Sequence, residues 1–175
     1  MSISAPDPMI MKADTWFIRL EHPCDEAAVD ALQAAAFGPG RFARTAFRIR
    51  EGIPHDERLS YVGLAGDQVA GSVRLTRIRI GDTPAMLLGP LTVAPEYKNR
   101  GLGKLLMRTA LDEARRLGET AVLLVGDPPY YGPFGFDPVP FGRIVMPGPV
   151  DPNRLLVAML DGSPMPSGLV RGGAA

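Results

Sequence analysis

Residues 91–104 read Leu-Thr-Val-Ala-Pro-Glu-Tyr-Lys-Asn-Arg-Gly-Leu-Gly-Lys. The first three residues end an apolar run, and from residue 101 to residue 117 apolar residues recur at helical spacing, so the segment predicts strand, loop and helix in that order. Successive N–H groups at a helix N-terminus, next to glycines that let an anion approach, can cradle a phosphate. Lys98, Arg100 and Lys104 add positive charge there. We therefore expect a local anion site in this loop.

Two better-known glycine motifs do not fit the loop. A Walker loop needs Ser or Thr directly after Gly103 and Lys104, where this chain has Leu105, and the dinucleotide-binding fingerprint needs a third glycine where it has Leu106. Glycines also precede helices as plain turn residues. Composition alone therefore leaves an anion site and an ordinary turn open.

The segments before the loop predict a β-sheet with a gap. Residues 61–65 and 68–80 are rich in β-branched and apolar residues and are joined by Gly66-Asp67, which is typical of two antiparallel strands around a tight turn. A third strand, residues 85–93, contains Gly89-Pro90, and proline lacks the N–H that a central ladder needs. We expect this strand to bulge or to part from a neighbour there.

The segments after the loop complete the sheet. Residues 120–125 form a short apolar run, as in a strand that is covered on both faces, and strand-helix-strand order makes them the parallel neighbour of residues 85–93. The predicted fold class is α/β (α+β) with a mixed sheet. Asp127 is expected to cap a short helix that begins at Pro128, just beyond this strand.

Two helices are expected before the sheet. Asp25 can cap a helix that runs to about Phe37, with an apolar face formed by Ala28, Val29, Leu32, Ala35 and Ala36. A second helix, residues 41–51, places Arg41, Arg44 and Arg48 on one side. These arginines form either a solvated face or a grip for an anionic acceptor.

Composition limits the class of protein. The 175 residues include 19 basic and 19 acidic side chains and one cysteine, Cys24. Zero formal net charge gives no general field for nucleic acid or for an anionic membrane, and no run of about twenty apolar residues could span a bilayer. A lone cysteine excludes an intrachain disulfide and fits the cytoplasm. We expect one domain, residues 15–161, between flexible tails at residues 1–14 and 162–175.

Two short segments carry a family resemblance: residues 98–103 read Lys-Asn-Arg-Gly-Leu-Gly, and residues 131–136 read Tyr-Gly-Pro-Phe-Gly-Phe. The first resembles the pyrophosphate-binding motif of the GNAT (GCN5-related N-acetyltransferase) family, with Lys98 in place of the usual Gln or Arg. The other segment is similar to the family's tyrosine, three residues, Gly-Phe signature, in the form of the YhbS-like branch. The resemblance covers about residues 16–160.

The resemblance implies a twisted, mostly antiparallel sheet whose central strands splay to admit acetyl-CoA, or another acyl-CoA, as cosubstrate, without a metal. The cosubstrate would pair with exposed backbone atoms of Leu91 and Val93. The cofactor-binding residues that the resemblance implies are Leu91, Thr92, Val93, Lys98, Asn99, Arg100, Gly101, Leu102, Gly103, Lys104, Tyr130 and Phe134.

The implied reaction is direct attack of a primary amine, on a small molecule or a peptide, on the thioester. The N–H of Val93 would hold the oxyanion, and Tyr131 would protonate the leaving thiolate. A tyrosine packed under the sheet, with its hydroxyl on a backbone carbonyl, is the alternative interpretation of Tyr131. The strand before the loop lacks a carboxylate, so water-relayed removal of the amine proton is favoured over Glu51, His55 or Asp127 as a general base.

Two other functions stay open: transfer of a longer acyl group from CoA or an acyl carrier protein, and a non-catalytic acyl-CoA-binding module. The chain is expected to be a monomer or a homodimer, and a strand at residues 155–160 could pair across a dimer.

Overall fold

The computed structural model describes residues 16–173. Its strands are β1 (Phe17–Leu20), β2 (Tyr61–Ala65), β3 (Gln68–Ile80), β4 (Thr83–Val93), β5 (Ala121–Val125), β6 (Asp137–Pro138), β7 (Ile144–Val145), β8 (Leu155–Met159) and β9 (Gly168–Gly172). Its α-helices are α1 (Glu26–Phe37), α2 (Thr45–Arg50), α3 (Leu102–Arg116) and α4 (Pro128–Tyr131). Among residues 16–173, no helix combines the length and the apolar character that a bilayer crossing requires.

The strands form a mixed sheet in the order β1-β2-β3-β4-β5-β8-β6, and β9 pairs with both β3 and β7. The pairs along the main path are antiparallel except β4 with β5, which is parallel. This arrangement confirms the predicted fold class and the predicted parallel strand pair on either side of α3.

Helix α3 packs on one face of the sheet because its apolar residues recur every three or four positions. Its buried residues are Leu102, Leu106, Met107, Ala110, Leu111 and Ala114. Side chains of a strand alternate between faces, so Met86 and Leu88 of β4 join α3 in one core cluster, while Ala85 and Leu87 join a second cluster on the opposite face. The sheet is thus buried on both faces beside the loop of residues 94–101.

The predicted gap lies at Gly89 and Pro90. The register between β3 and β4 shifts from Leu75↔Leu88 to Val73↔Leu91, so that Gly89 and Pro90 together oppose one β3 residue. On its other edge β4 pairs with β5 only at its residues 86 and 87. Beyond this bulge β4 and β5 separate, as the sequence predicts, while β4 stays paired with β3.

The buried face of α1 differs from the apolar face that the sequence predicts. Val29 and Gln33 are buried, whereas Ala28, Ala35 and Ala36 are exposed. Asp25 does not cap the helix through its side chain, since its carboxylate accepts hydrogen bonds from the Arg19 guanidinium and from the N–H of His22.

The second predicted helix is shorter than expected. Residues 39–43 form a 3-10 turn, and α2 begins only at Thr45, because Arg44 has an extended backbone (ψ 139°) that interrupts the helix. Phe42 falls in the 3-10 turn and is 65% exposed, so it does not join the apolar side of α2.

The predicted C-terminal tail, residues 162–175, is corrected by β9. Val170 of β9 lies opposite Ile80 of β3 and is fully buried. Glycine and proline around it suggested a frayed end, but the Leu-Val-Arg centre of the segment adds a strand to the sheet. The predicted N-terminal tail lies outside the described residues.

Strand β8 is paired on both sides within the chain. Val157 lies opposite Leu123 of β5 and opposite Asp137 of β6. Strand β6 covers only Leu156 and Val157 on that edge, so pairing of residues 155–160 across a dimer stays a prediction.

Candidate active site

A cleft of about 660 Å³ opens where β4 and β5 part. This volume lies in the range of small-molecule sites. The predicted site residues that line the cleft are Leu91, Val93, Lys98, Gly103, Tyr130 and Tyr131.

The free edge of β4 presents backbone groups to this cleft. The N–H of Ala94 donates to the carbonyl of Ala70 of β3 over 2.7 Å, which makes this pair a hydrogen-bonded rung of the ladder. Rungs of an antiparallel pair alternate, so Val93 and Leu91 fall on the intervening rungs and turn their N–H and C=O groups away from β3. Both residues thus lie as the predicted cofactor pairing requires.

Thr92 does not fit the predicted role in cofactor binding. It falls on a hydrogen-bonded rung opposite Ser72, so its backbone groups point to β3. Its side chain is 3% exposed, and its Oγ1 lies 3.2 Å from Ser72 Oγ. Both the backbone groups and the side-chain hydroxyl of Thr92 therefore make their contacts within the sheet.

The N-terminus of α3 supplies a set of unpaired donors. The first hydrogen bond of the helix runs from the N–H of Leu105 to the carbonyl of Gly101 over 3.0 Å. The N–H groups of Leu102, Gly103 and Lys104 therefore have no acceptor within the helix, and no side chain caps it. Three donors at the positive end of a helix dipole form an anion cradle.

The backbone conformation of the loop before α3 orients the N–H groups of its first turn. Asn99 and Gly101 have φ angles of 62° and 87°, in the left-handed region, which turns the chain sharply before the helix. A Cβ on Gly103 would lie 2.8 Å from the hydroxyl of Tyr130, so glycine leaves room for that tyrosine. The side chain of Leu102 is buried in the core, which leaves only its N–H for a ligand.

The remaining loop residues lie at the surface. Asn99, Arg100, Gly101 and Lys104 are exposed and do not line the cleft itself. The carbonyl of Arg100 accepts a hydrogen bond from Nε1 of Trp16 over 3.3 Å, which ties the loop to the start of β1.

Tyr131 stands at the end of β5 with its ring against Gly126 and 6.1 Å from the ring of Phe136. Burial raises its pKa to about 12, and the nearby Tyr130 and Asp127 add to the effect. The phenol is therefore fully protonated at neutral pH. Within residues 16–173 its hydroxyl makes no hydrogen bond, so the alternative in which a backbone carbonyl holds the hydroxyl is not what the structure shows.

Tyr130 and Phe134 have different positions. Tyr130 is 38% exposed and lines the cleft, and burial raises its pKa. Phe134 lies behind it, 6.1 Å from its ring and 5.9 Å from the guanidinium of Arg108, outside the cleft lining. Phe134 therefore packs behind Tyr130, and its assignment to the cofactor side stays a prediction.

Helix α4 begins at Pro128 as predicted, but Asp127 does not cap it. The carboxylate of Asp127 pairs instead with Nε of Arg154 over 3.1 Å at the mouth of the cleft. The ion pair holds this carboxylate at the surface.

A second cavity of about 530 Å³ lies on the other side of the bulge. It shares Phe47, Arg50 and Pro90 with the cleft. Its remaining lining residues are Glu26, Asp30, Gln33, Phe42, Glu51, Ile53, Pro54, His55, Arg74 and Thr76. Two of the residues considered as general bases, Glu51 and His55, therefore lie here and not in the cleft.

Two arginines of this cavity differ in their partners. Arg74 is paired with Glu21, whose Oε2 accepts from Nε over 3.0 Å, and His55 Nε2 lies 3.7 Å from Oε1 of the same carboxylate. Arg50 has neither an ion pair nor a hydrogen bond among residues 16–173, and its guanidinium lies 5.4 Å from the ring of Phe47. Burial lowers the pKa of Arg50 to about 9, with the charge of Arg74 contributing, and this value leaves it charged at neutral pH.

The sequence does not single out Arg50; it points instead to Arg41, Arg44 and Arg48 as either a solvated face or a grip for an anionic acceptor. Arg41 donates to the carbonyl of Gly38 over 2.8 Å, and Arg48 is exposed. Arg44 lines the cleft but stacks 5.3 Å from the ring of Phe37. The three predicted arginines therefore do not form a common grip, because the 3-10 turn separates Arg41 from the helix.

Comparisons with known proteins agree with this geometry. Residues 26–132 match the model of the acetyltransferase (GNAT) family. The uncharacterised N-acetyltransferase YhbS of Escherichia coli K12 is 32% identical over 125 residues, which cover 69% of this chain and 72% of that relative. The uncharacterised N-acetyltransferase YjhQ of the same organism is 30% identical over 118 residues, or 65% of each chain.

Two solved structures are similar over almost the whole chain. The E. coli YhbS structure in complex with CoA has a TM-score of 0.75 and 27% identity, and covers 93% of this chain and 92% of its own. A GNAT family acetyltransferase from Brucella melitensis in complex with acetyl-CoA has a TM-score of 0.70 and 27% identity, with coverages of 92% and 97%. Fold, motifs and relatives agree, and this chain belongs to the acetyltransferase (GNAT) family.

Proposed function

We propose that this chain transfers an acetyl group from acetyl-CoA to a primary amine of a small molecule or peptide, in a ternary complex. The observation that carries the proposal is the convergence of three kinds of group on one cleft. These are the unpaired N–H groups at the start of α3, the outward-facing backbone of Leu91 and Val93, and the unbonded hydroxyl of Tyr131. The CoA and acetyl-CoA complexes of the two solved relatives support the donor.

The donor's pyrophosphate is assigned to the N–H groups of Leu102, Gly103 and Lys104. Lys98 lines the cleft beside them and, with Arg100 and Lys104, adds positive charge for phosphate oxygens. Asn99 and Gly101 contribute to the proposed pyrophosphate site through their left-handed backbone angles, which form the turn before these N–H groups. Because the cradle is backbone at a helix N-terminus, it does not depend on the Gln or Arg that is usual at the position of Lys98.

The pantetheine arm is assigned to β4. Its amides would pair with the outward-facing groups of Leu91 and Val93 as an added strand. This pairing places the thioester beside the end of β4, beyond the bulge, where the N–H of Val93 is the proposed oxyanion donor.

Tyr131 is the proposed partner of the leaving sulfur. Its pKa of about 12 keeps the proton in place, but full transfer to a thiolate, whose ordinary pKa is about 8.5, is uphill by about 5 kcal/mol. We therefore assign to Tyr131 a hydrogen bond to sulfur as negative charge develops in the transition state. Water relays the amine proton, since β4 has no carboxylate and Asp127 is paired with Arg154.

The donor is tested by thermal shift. A ligand present at a hundred times its Kd stabilises a protein that it binds only in the native state by about 2.7 kcal/mol. For a chain of this size, that corresponds to a rise in Tm of roughly 5–10 °C. We expect this rise with acetyl-CoA, and a comparison with longer acyl-CoAs tests the chain length. If no CoA thioester raises the Tm, the proposed function is wrong.

The role of Tyr131 is tested by thiol release with any amine that the enzyme accepts. Tyr131→Phe should lower kcat by about a hundredfold or more, with little change in KM for acetyl-CoA. Tyr61→Phe is the matched control, because Tyr61 is a core residue away from the cleft. An unchanged rate of thiol release by Tyr131→Phe would remove the role assigned here.

We propose the cytoplasm as the compartment of the reaction, because a chain with a single, exposed cysteine is compatible with a reducing environment.

A further inference from the structure

The geometry points to the second cavity as the acceptor site, and to a compact amino-carboxylate as the acceptor, held through its carboxylate by Arg50. This inference rests on the proposed function, because it takes the amine to the thioester in the cleft. It goes further by naming the chemical class of the acceptor and the residue that selects it.

The position of Arg50 links the two cavities. The residue lines both of them, together with Phe47 and Pro90. A Cβ built on Gly89 would lie 2.8 Å from Nη2 of Arg50, so the guanidinium sits directly on the bulge of β4. The proposed oxyanion donor, Val93, lies three residues beyond Pro90, about 10 Å along the strand. An acceptor whose anionic group binds Arg50 could therefore reach the reacting carbonyl from the second cavity.

The charge of Arg50 lacks a counterion in the described part of the chain. Buried charges are normally paired, because an unpaired buried charge is costly. Arg74, the other arginine of the cavity, has its counterion in Glu21, whose side chain is 2% exposed. Nothing similar is present for Arg50 within residues 16–173. The residue is partly buried, its Nε is covered without a hydrogen bond, and its two Nη groups have no hydrogen-bond partner in the described residues. An anion bound to the Nη groups would supply the missing counterion.

Two further polar atoms of the same cavity lack hydrogen bonds. They are Nε2 of Gln33 and Nδ1 of His55, and with Nε of Arg50 they are the buried side-chain N and O atoms of residues 16–173 that have no partner. The side chains of all three residues line this one cavity, so the buried polar groups without partners are gathered around it.

The rest of the lining selects a carboxylate over a phosphate. Glu26, Asp30 and Glu51 line the same cavity and are exposed. Three carboxylates would repel a doubly charged phosphate, but they attract an ammonium group. A ligand with a single carboxylate matches the unpaired guanidinium of Arg50 better than a phosphate does. Because Arg50 also lines the donor cleft, a small amino acid whose carboxylate binds there can present its amine to the cleft, away from the acidic rim.

Calorimetric titration in the presence of CoA tests the inference without turnover. The probes are L-lysine, L-methionine and L-phenylalanine, each compared with its carboxamide and with the amine that lacks the carboxyl group. A guanidinium–carboxylate pair contributes about 1.5–3 kcal/mol, so at least one amino acid should bind about tenfold to a hundredfold more tightly than its two analogues.

Variants then assign the preference to Arg50. Arg50→Gln should abolish the difference between acid and amide, and Arg50→Lys should retain part of it. Arg48→Gln, on the exposed side of the same helix, is the matched control and should bind like the parent protein. Acetyl-CoA binding by each variant shows that it is folded.

The outcomes separate the two proposals. Equal affinity for acid and amide in the parent protein, or a difference that survives Arg50→Gln, overturns the inference. If acetyl-CoA binds but no amino acid does, the amino-carboxylate assignment is wrong and the proposed function stands. If acetyl-CoA itself does not bind, the proposed function fails, and the acceptor site fails with it.

Discussion

Gly126→Ala should displace Tyr131 without touching its chemistry. Gly126 ends β5, and its φ lies outside the left-handed region, so alanine is not excluded by backbone strain. A Cβ there would lie 2.9 Å from Cδ2 of Tyr131, closer still to the adjacent ring carbon, and 3.2 Å from a methyl of Leu124. Carbon atoms in contact prefer separations of about 3.5–4.0 Å. The ring must therefore move by about 1 Å.

Two magnitudes follow from this displacement. Overpacking by one methyl group costs roughly 1–3 kcal/mol, which for a chain of this size lowers Tm by roughly 3–10 °C. A catalytic group that is misplaced by about 1 Å can cost about a hundredfold in rate. We expect kcat to fall by about this factor, while KM for acetyl-CoA changes little, because the cradle at α3 is not affected.

The assay is thiol release at saturating acetyl-CoA, with Gly132→Ala as the matched control. Gly132 follows α4 directly, has a helical backbone (φ −51°, ψ −44°), and apart from its chain neighbours a Cβ there meets nothing within 4 Å. Alanine at residue 132 should leave kcat unchanged, and its Tm should fall slightly, because the ring of Pro133 disfavours a helical backbone at a preceding residue that has a Cβ. If Gly126→Ala keeps the parent kcat although its Tm falls, the position of Tyr131 does not limit the reaction, and the reasoning is refuted.

Three further predictions concern stability, measured by urea unfolding. Glu21→Gln should lose about 3 kcal/mol, because it leaves the partly buried Arg74 with only the exposed Asp30, 3.9 Å away, as a counterion, whereas Glu113→Gln, which breaks an exposed pair, should not move the midpoint. Val170→Ala should lose about 2 kcal/mol, and Leu169→Ala, at a half-exposed neighbour, much less; equal losses would contradict the docking of β9. Between about pH 10 and 12, ionisation of Tyr131 should lower the free energy of unfolding by up to about 2.7 kcal/mol. The reason is that its phenol ionises near pH 10 in the unfolded chain and near pH 12 in the folded one. In Tyr131→Phe the free energy of unfolding should fall less steeply with pH. An equally steep fall in the variant would show that the pKa of Tyr131 is not raised in the folded parent protein.

Most of the cofactor side could be predicted from the sequence because its signals are local. The Gly89-Pro90 pair marks the bulge through the chemistry of one missing N–H. The glycines before α3 mark the cradle through the backbone angles that they permit. The position of Thr92 could not be predicted in this way, because the residues of β4 whose backbone groups face the cleft alternate, and which ones do so depends on the pairing with β3.

The acceptor side could not be predicted because its residues come from separate segments. Gln33 is buried although it is polar, so a search for apolar periodicity passed over it. In the sequence Arg50 is the last of several arginines in one helix, and only the packing of α2 against the bulge gives it a different environment from Arg48. Strand β9 was missed likewise, because glycine and proline around Val170 indicate a tail unless the partner strand is known.

The two sides of the site therefore differ in how they tolerate sequence change. The donor side is formed mainly by N–H groups of Leu91, Val93 and the first turn of α3, and most side chains can change there while the backbone keeps its course. The acceptor side is formed by side chains, above all Arg50, and one substitution changes its charge. A chain about 30% identical to its relatives can thus keep the donor site and select a different amine. Family membership consequently supports the proposed donor more strongly than any acceptor, and the acceptor that we propose depends on one side chain of this chain, the unpaired guanidinium at the bulge.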